Sequence, residues 1–232
     1  MLLQGVDITE MFSPERVANI GTNYKLIAGK SMDLTTGYDF SLEADRKKAW
    51  EHIVKDEPYC VIGSPPCTMF SLLMELNIAK FRDDKAWMEK YEVAKAQAVK
   101  HIEFCCKIYK YQLQHKRHFI HEHPWGARSW ELNAMTELIQ DERTTLVRSD
   151  LCRFGMTSWI ERRGGDEGPA KKPTGFLTSS LAVVDELNKR CNAGLGHQHV
   201  QLMGGRAAGA QVYPVELCRA MCRGIARQKQ YD

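Results

Sequence analysis

Short apolar runs alternate with longer amphipathic segments, and this alternation constrains the fold of the 232-residue chain more than any other feature. The apolar runs have the length and composition of β-strands, and they lie at 5–12, 24–28, 59–63, 119–122, 144–148 and 175–178. Helical spacing or helix-start residues mark the segments 13–16, 41–56, 84–115, 131–141 and 212–230. Strands that alternate with helices predict a three-layer α/β fold with a mostly parallel sheet.

Length, charge and cysteine content narrow the class of protein. We expect a single domain over 1–232, with a basic loop at about 160–174 and a small Cys/His-containing segment at about 188–206. The formal net charge is only +3, so nucleic acid would have to be bound by local basic patches. The sequence has no secretion signal and no apolar run of about 18 residues, which argues against a membrane partner. Eight cysteines without export features predict reduced thiols and a cytoplasmic protein.

Three predicted strand ends carry chemically distinctive residues. Phe12 ends the first strand, Cys67 follows the third, and Glu122 ends the fourth. In open α/β sheets, ligands bind beyond the carboxyl ends of the strands. We therefore expect these three residues to line one crevice.

The segment around Cys67 indicates a nucleophile. Cysteine is intrinsically nucleophilic, and two prolines would hold this thiol rigidly at the sheet edge. A buried cysteine in a turn is the ordinary alternative. The whole string Ile62-Gly-Ser-Pro-Pro-Cys-Thr-Met-Phe-Ser71 resembles the Pro-Cys motif of DNA cytosine-5 methyltransferases. The resemblance implies that Cys67 attacks the base, that Pro65 lies near the cofactor, and that the substrate contacts come from Ser64, Pro66 and Ser71.

A second motif follows in the order that this family has. His121-Glu-His-Pro124 ends the next strand, where the family carries Glu-Asn-Val, so His123 and Pro124 depart from the pattern. The resemblance implies that Glu122 hydrogen-bonds the cytosine ring nitrogen and exocyclic amine, which favours attack at ring carbon 6. The alternative is a strand-end glutamate that caps a helix at Ser129.

Two further segments are similar to later family motifs. In the family, arginines of a segment comparable to 150–156 reach the flipped base, which implies a catalytic role for Arg153. Lys172 and Thr174 are the second candidates for this contact, with a solvated surface charge as the alternative for Lys172. The run Ala208 to Pro214 is similar to the turn that closes over the methyl donor, which implies donor contacts from Gln211 and Val212.

The resemblance implies a Rossmann-like methyltransferase fold that uses S-adenosyl-L-methionine. The family's Phe-x-Gly-x-Gly loop is replaced here by Phe12-Ser13-Pro14-Glu-Arg16, which contains no glycine. We expect Phe12, Ser13 and Pro14 beside the donor, with amides of the helix N-terminus on its carboxylate. Asp33 is placed for the ribose hydroxyls and Asp39 for the adenine amine, although both aspartates could instead shape turns.

A group of cysteine and histidine residues lies outside the family's motifs. Cys191, His197 and His199 could bind zinc, with Cys152 as a possible fourth ligand. The spacing is not that of a standard zinc finger, and a polar loop with one buried thiol is the alternative.

The resemblance runs from about residue 7 to residue 225, and it implies methylation of cytosine at carbon 5 in DNA. Only about 30 residues separate Gly175-Phe176 from the closing motif, so the family's large target-recognition region is missing. A partner protein could then supply recognition. The alternatives are a modifier of pyrimidines in RNA or nucleotides, an enzyme with another one-carbon donor, and an inactive nucleic-acid-binding relative. A pure binding protein has no need of both Cys67 and Glu122.

Overall fold

The computed structural model describes residues 5–159, 167–192, 196–202 and 206–232. The strands in these ranges are β1 (Ile8–Met11), β2 (Ala28–Met32), β3 (Cys60–Gly63), β4 (His118–Pro124), β5 (Thr145–Asp150), β6 (Thr157–Trp159), β7 (Glu167–Pro169) and β8 (Pro173–Thr178). The helices are α1 (Val17–Gly21), α2 (Glu43–Asp56), α3 (Leu72–Phe81), α4 (Lys85–Gln114), α5 (Asn133–Ile139), α6 (Leu181–Leu187), α7 (Arg206–Gly209) and α8 (Val215–Tyr231). No helix in these ranges is long and apolar enough to cross a membrane.

Six strands form one sheet in the order β2-β1-β3-β4-β8-β5. The strand β1 pairs in parallel with β2 and β3, and β3 pairs in parallel with β4. The strand β8 is antiparallel to both of its neighbours, β4 and β5. The other five strands therefore point the same way, and the predicted α/β class with a mostly parallel sheet is confirmed.

Side chains alternate between the two faces of the sheet because successive strand residues point in opposite directions. On β3, Cys60 and Ile62 pack into a core with buried residues of α1, α6 and α8. Val61 packs into a second core with α2, α4 and α5. In α8 the buried residues include Leu217, Met221 and Ile225, which share one helix face at four-residue spacing. Helices thus cover both faces of the sheet.

Two predicted elements differ in position from the observed ones. The second strand begins at Ala28 rather than at Tyr24, because Thr22–Tyr24 forms a 3₁₀ turn and Lys25 has a left-handed backbone with φ of 60°. The C-terminal helix begins at Val215 rather than at 212. Pro214 stands at its N-cap, where a missing amide costs no helical hydrogen bond.

Other differences concern short elements. The helix predicted at 131–141 is a 3₁₀ turn, Arg128–Glu131, followed by α5. Neither α3 nor α6 was predicted, and each is capped by a serine at its start. The short helix expected from 13–16 begins at Val17.

The predicted basic loop at 160–174 is only partly a loop. Residues 160–166 lie outside the described residues. Glu167–Pro169 forms β7, which pairs with β6 in a two-stranded antiparallel sheet, and Pro173 and Thr174 already belong to β8. The described parts of the segment at 188–206 contain no strand, and their only helical residue is Arg206, the first of α7.

Candidate active site

A cavity of about 300 Å³ lies where β1, β3 and β4 end. Met11 pairs with Gly63, and Gly63 pairs with His121, so the three strand ends meet at one edge of the sheet. The predicted site residues that line the cavity are Phe12, Ser13, Pro14, Asp33, Ser64, Pro65, Pro66, Cys67, Glu122, Lys172 and Gln211. The crevice expected from Phe12, Cys67 and Glu122 is therefore present.

Cys67 is half-buried immediately before the 3₁₀ turn Thr68–Phe70. Its carbonyl accepts a hydrogen bond from the Phe70 amide at 3.0 Å. Burial raises the pKa of the Cys67 thiol, the charge of Glu122 raises it further, and Lys172 lowers it. The lone protein therefore holds Cys67 as a thiol at neutral pH, and Lys172 is the cation that favours its thiolate.

His123 contacts the turn that carries Cys67 and stabilises it. Its Nε2 lies 3.2 Å from the Pro65 carbonyl oxygen, and its Nδ1 lies 2.5 Å from the Ser129 hydroxyl. Burial lowers the pKa of His123 to about 4, so the ring is neutral at pH 7. A neutral ring satisfies both contacts when Nε2 donates to Pro65 and Nδ1 accepts from Ser129. The sequence did not reveal this role, because it depends on which way the β4 side chains face.

Glu122 is buried and has one oxygen without a partner. Oε2 accepts a hydrogen bond from the Tyr213 hydroxyl at 3.3 Å. Oε1 is buried without a hydrogen bond and lies 3.9 Å from the Lys172 ammonium. Glu122 caps no helix, since Ser129 bonds His123 instead. A buried carboxylate oxygen without a donor is unusual, and it leaves Glu122 able to accept a hydrogen bond from a ligand.

Tyr213 joins the closing segment to this carboxylate. Its hydroxyl also hydrogen-bonds the Ser64 hydroxyl, and burial raises the pKa of the phenol well above its ordinary value. Ser64 can therefore donate to Tyr213 while Tyr213 donates to Glu122. We did not single out Tyr213 from the sequence, although it lies in the same motif as Gln211.

Lys172, and not Arg153, is the cation beside Glu122 in the cavity. Lys172 donates to the Ala210 carbonyl at 2.9 Å and has a left-handed backbone with φ of 29°. Arg153 is exposed in the 3₁₀ turn Leu151–Phe154 and does not line the cavity. Thr174 is buried and donates to the Lys172 carbonyl at 3.1 Å, so it supports the lysine from outside the lining.

The opposite end of the cavity differs from what we expected of the donor site. Glu10 is fully buried, and its Oε1 accepts hydrogen bonds from the amides of Arg16 and Ala18, both at 2.9 Å. The sequence had suggested that amides of the α1 N-terminus bind the carboxylate of a donor. This expectation is wrong for these two amides, because Glu10 already occupies them. Arg16 itself lines the cavity and provides a cation there.

Phe12 ends β1 with φ of 58°, a left-handed conformation that is rare for a bulky residue. Its ring packs on Phe40 with 4.4 Å between centroids and on His101 with 5.2 Å. Among the residues that the structure describes, five non-glycine residues have a positive φ, and two of them, Phe12 and Lys172, line this cavity. Strained backbone of this kind collects at functional sites.

The two aspartates predicted for the donor have different surroundings. Asp33 lines the cavity, and its Oδ1 accepts from the amide and hydroxyl of Thr35. Asp39 accepts from the Ser41 amide, lies outside the cavity lining, and shapes its turn. Ser71 and Val212 also lie outside the lining, since Ser71 caps α3 and Val212 is exposed.

The predicted Cys/His group comes together elsewhere in the molecule. The ligand atoms of Cys152, Cys191, His197 and His199 all lie within 4.8 Å of one another, so they could hold a metal ion. The Cys191 sulfur is 3.5 Å from Nε2 of His197 and 3.4 Å from Nε2 of His199. None of these four side chains lines the cavity.

The chain matches no model of a known protein family and no curated protein. The function is therefore inferred from the geometry of the cavity and from the motif resemblance.

The cavity combines three chemical capabilities. A half-buried thiol can form a covalent bond, and the carboxylate oxygen of Glu122 can bind a polar ring edge. At the other end, Arg16 and Asp33 can bind a carboxylate and hydroxyl groups, respectively. This arrangement suits covalent catalysis on a planar heterocycle beside a second, polar ligand.

Proposed function

We propose that this protein is an S-adenosyl-L-methionine-dependent methyltransferase that methylates cytosine at carbon 5 in DNA. The observation that carries the proposal is a single cavity that contains Cys67, the unpartnered oxygen of Glu122 and the residues at the end of β1. The motif resemblance supplies the reaction, and the presence of Cys67 and Glu122 in one cavity supports it.

The proposed reaction begins when the target cytosine leaves the base stack and enters the cavity. The Cys67 thiol loses its proton to water, and its sulfur forms a bond to ring carbon 6. The electrons of the ring double bond move to carbon 5 and into the ring, while Glu122 accepts a hydrogen bond from the exocyclic amine of the base. Carbon 5 takes the methyl group from the donor sulfonium, which leaves as the neutral thioether S-adenosylhomocysteine. Loss of the carbon 5 proton to water then expels the Cys67 thiolate and restores the double bond.

Lys172 supports two steps of this reaction. Its charge favours the Cys67 thiolate, and it stands 3.9 Å from the Glu122 oxygen that would meet the base. Tyr213 holds the other oxygen of Glu122, so the carboxylate has one orientation. Zinc has no place in this reaction, because none of the four Cys/His side chains lines the cavity.

For the donor, we infer a binding mode without a glycine loop. Arg16 replaces the helix amides as the partner of the donor carboxylate, because Glu10 occupies the amides of Arg16 and Ala18. The Oδ2 atom of Asp33 would accept hydrogen bonds from the ribose hydroxyls, since Thr35 donates to Oδ1.

DNA is the proposed substrate, and a partner protein is the proposed source of sequence recognition. Arg148, Lys171 and Arg190 lie within 3.6–3.9 Å of the buried Asp150 carboxylate, and each is at least partly exposed at the surface. They form a local basic group that can contact phosphates, which would make binding depend on salt.

The second candidate is a pyrimidine modifier that uses another one-carbon donor or acts on RNA or nucleotides. The observation that favours it is the Glu10 carboxylate at the start of α1, which would oppose an incoming donor carboxylate. In this alternative Cys67 and Glu122 keep their roles.

Mass spectrometry of nucleosides tests the proposal directly. DNA and RNA from cells that express the wild-type chain or the Cys67→Ser chain are hydrolysed and compared. The proposal expects 5-methylcytosine in DNA with the wild-type chain only. Calorimetric titration of the purified protein with S-adenosylmethionine and S-adenosylhomocysteine accompanies it. Modified RNA, or the absence of binding by either compound with DNA present, would favour the second candidate.

A further inference from the structure

The ligand atoms of Cys152, Cys191, His197 and His199 lie within 4.8 Å of one another, close to the spacing of a four-coordinate zinc site. Zinc binds thiolate sulfur at about 2.3 Å and imidazole nitrogen at about 2.0–2.1 Å, so tetrahedral ligand atoms stand roughly 3.3–3.8 Å apart. The two sulfur–nitrogen distances from Cys191, 3.5 and 3.4 Å, fall in this range. The imidazole nitrogens of His197 and His199 are 2.9 Å apart, and they need to separate by only a few tenths of an ångström.

We propose that these four residues form a closed, structural zinc site that holds the Lys172 segment in the cavity. Two thiolates and two imidazoles fill all four positions of a tetrahedral zinc ion, which leaves no open position for a substrate. Two thiolates also balance the charge of the ion, so the site needs no further acidic ligand.

The buried carboxylate of Asp150 holds the backbone of one of the four proposed ligands, Cys191. Asp150 is almost fully buried, and its Oδ2 accepts a hydrogen bond from the Cys191 amide at 2.8 Å. Its backbone amide donates to the Lys189 carbonyl at 2.9 Å, which ties the end of β5 to the segment after α6. Outer-shell contacts of this kind fix the orientation of metal ligands.

The site joins three segments of the chain that have no shared helix or strand. Cys152 lies in the 3₁₀ turn after β5, Cys191 follows α6, and His197 and His199 lie in the described segment 196–202. Disulfide bonds are absent among the described cysteines, so a metal ion would be the strongest link between these segments.

Neighbours of the ligands hold the backbone on both sides of Lys171. The Leu151 amide, next to Cys152, donates to the Lys171 carbonyl at 2.7 Å. The Val200 amide, next to His199, donates to the Pro169 carbonyl at 2.8 Å. Lys172 follows with its left-handed backbone, which persists only where surrounding contacts fix it. The zinc site would therefore set the position of Lys172 relative to Glu122.

The binding of zinc is independent of the proposed reaction, whereas the importance of Lys172 rests on it. The first test measures the metal content of purified wild-type protein by mass spectrometry after dialysis. We expect about one zinc per chain, falling below about a tenth in Cys152→Ser, Cys191→Ser and His199→Ala. Cys67→Ser and His115→Ala change a cysteine and an exposed histidine outside the site, and they should keep the metal.

A cobalt-substituted protein identifies the ligands. Tetrahedral Co²⁺ with two thiolates absorbs strongly in the visible region, and this absorption should weaken in Cys152→Ser. Wild-type protein without bound metal, or full metal content in both cysteine variants, would overturn the zinc site.

Hydrogen–deuterium exchange tests the link to Lys172 in wild-type protein, so it does not depend on variants that fail to fold. Removal of zinc with a chelator should speed exchange of the amides of Leu151 and Val200, with β3 as the internal control. Zinc removal without faster exchange at these amides would refute the structural role and leave the metal site standing. A protein with intact zinc and no methyltransferase activity would refute the proposed function alone.

Discussion

His123 gives the fold a stability that depends on pH, and replacing it with glutamine isolates this contribution. Burial holds the pKa of His123 at about 4 in the folded chain, compared with an ordinary value of 6.5. Between these values the unfolded chain binds a proton that the folded chain does not. The contribution of His123 is therefore fully present above pH 6.5 and is lost as the pH falls toward 4.

The size of the effect follows from the two pKa values. Between about pH 7.5 and about pH 4.5, the free energy of unfolding should fall by about 2.5 kcal/mol through His123 alone. His121 is fully buried beside it, and burial also lowers its pKa well below the ordinary value, so it adds a loss in the same direction. Glutamine at position 123 does not titrate, while its amide can still donate to Pro65 and accept from Ser129.

Urea unfolding of wild-type protein and His123→Gln at the two pH values measures the difference. We expect the variant to be less stable than wild type at neutral pH, because it loses the packing of the imidazole ring against Phe70. Its loss of stability on acidification should nevertheless be smaller by about 2.5 kcal/mol. His115→Gln, which changes an exposed ring, should follow the wild type at both pH values. Equal losses in wild type and His123→Gln would show that His123 is not held neutral against the Pro65 turn.

Three further predictions concern the chemistry of the cavity. Cys67→Ser should abolish turnover and the covalent adduct with DNA that contains 5-fluorocytosine, because serine is a far weaker nucleophile at neutral pH. An adduct of the serine variant on denaturing gels would contradict the role of Cys67 as the nucleophile. Glu122→Gln should slow single-turnover methylation by roughly 10²–10⁴-fold while donor affinity stays near normal, and an unchanged rate would return Glu122 to a structural role. Asp33→Ala should weaken donor binding in calorimetry by about ten- to a hundredfold, since charge-assisted hydrogen bonds contribute about 1.5–3 kcal/mol. Asp39→Ala is its matched control, because Asp39 does not line the cavity, and an equal effect of both changes would remove the special role of Asp33.

The meeting of Phe12, Cys67 and Glu122 could be predicted because it depends on local patterns. Short apolar runs locate the strands, and the carboxyl ends of parallel strands lie at one edge of the sheet. The residues that follow those runs therefore come together whatever the details of the helices. The Cys/His group was predicted only as a possible zinc site from its residue types, because its convergence depends on three segments outside the sheet.

Contacts that depend on the register between distant segments could not be predicted. Arg153 and Lys172 are both basic, and the sequence alone does not tell which one faces the cavity. The left-handed backbone at Lys172 and its contact with Ala210 decide the matter. The same holds for Glu10, whose carboxylate fills the start of α1 only because a buried side chain of β1 points toward it.

The position of β8 also affects how the protein folds during synthesis and whether it can be truncated. β8 lies between β4 and β5, although both precede it in the chain. Until residues 173–178 leave the ribosome, β4 and β5 each expose an unpaired strand edge, which is a template for aggregation. A fragment that ends before Pro173 would still carry Cys67 and Glu122, but its sheet would be divided beside Glu122. Such a fragment therefore could not form the complete sheet, and complete folding has to wait for a segment that lies three quarters of the way along the sequence.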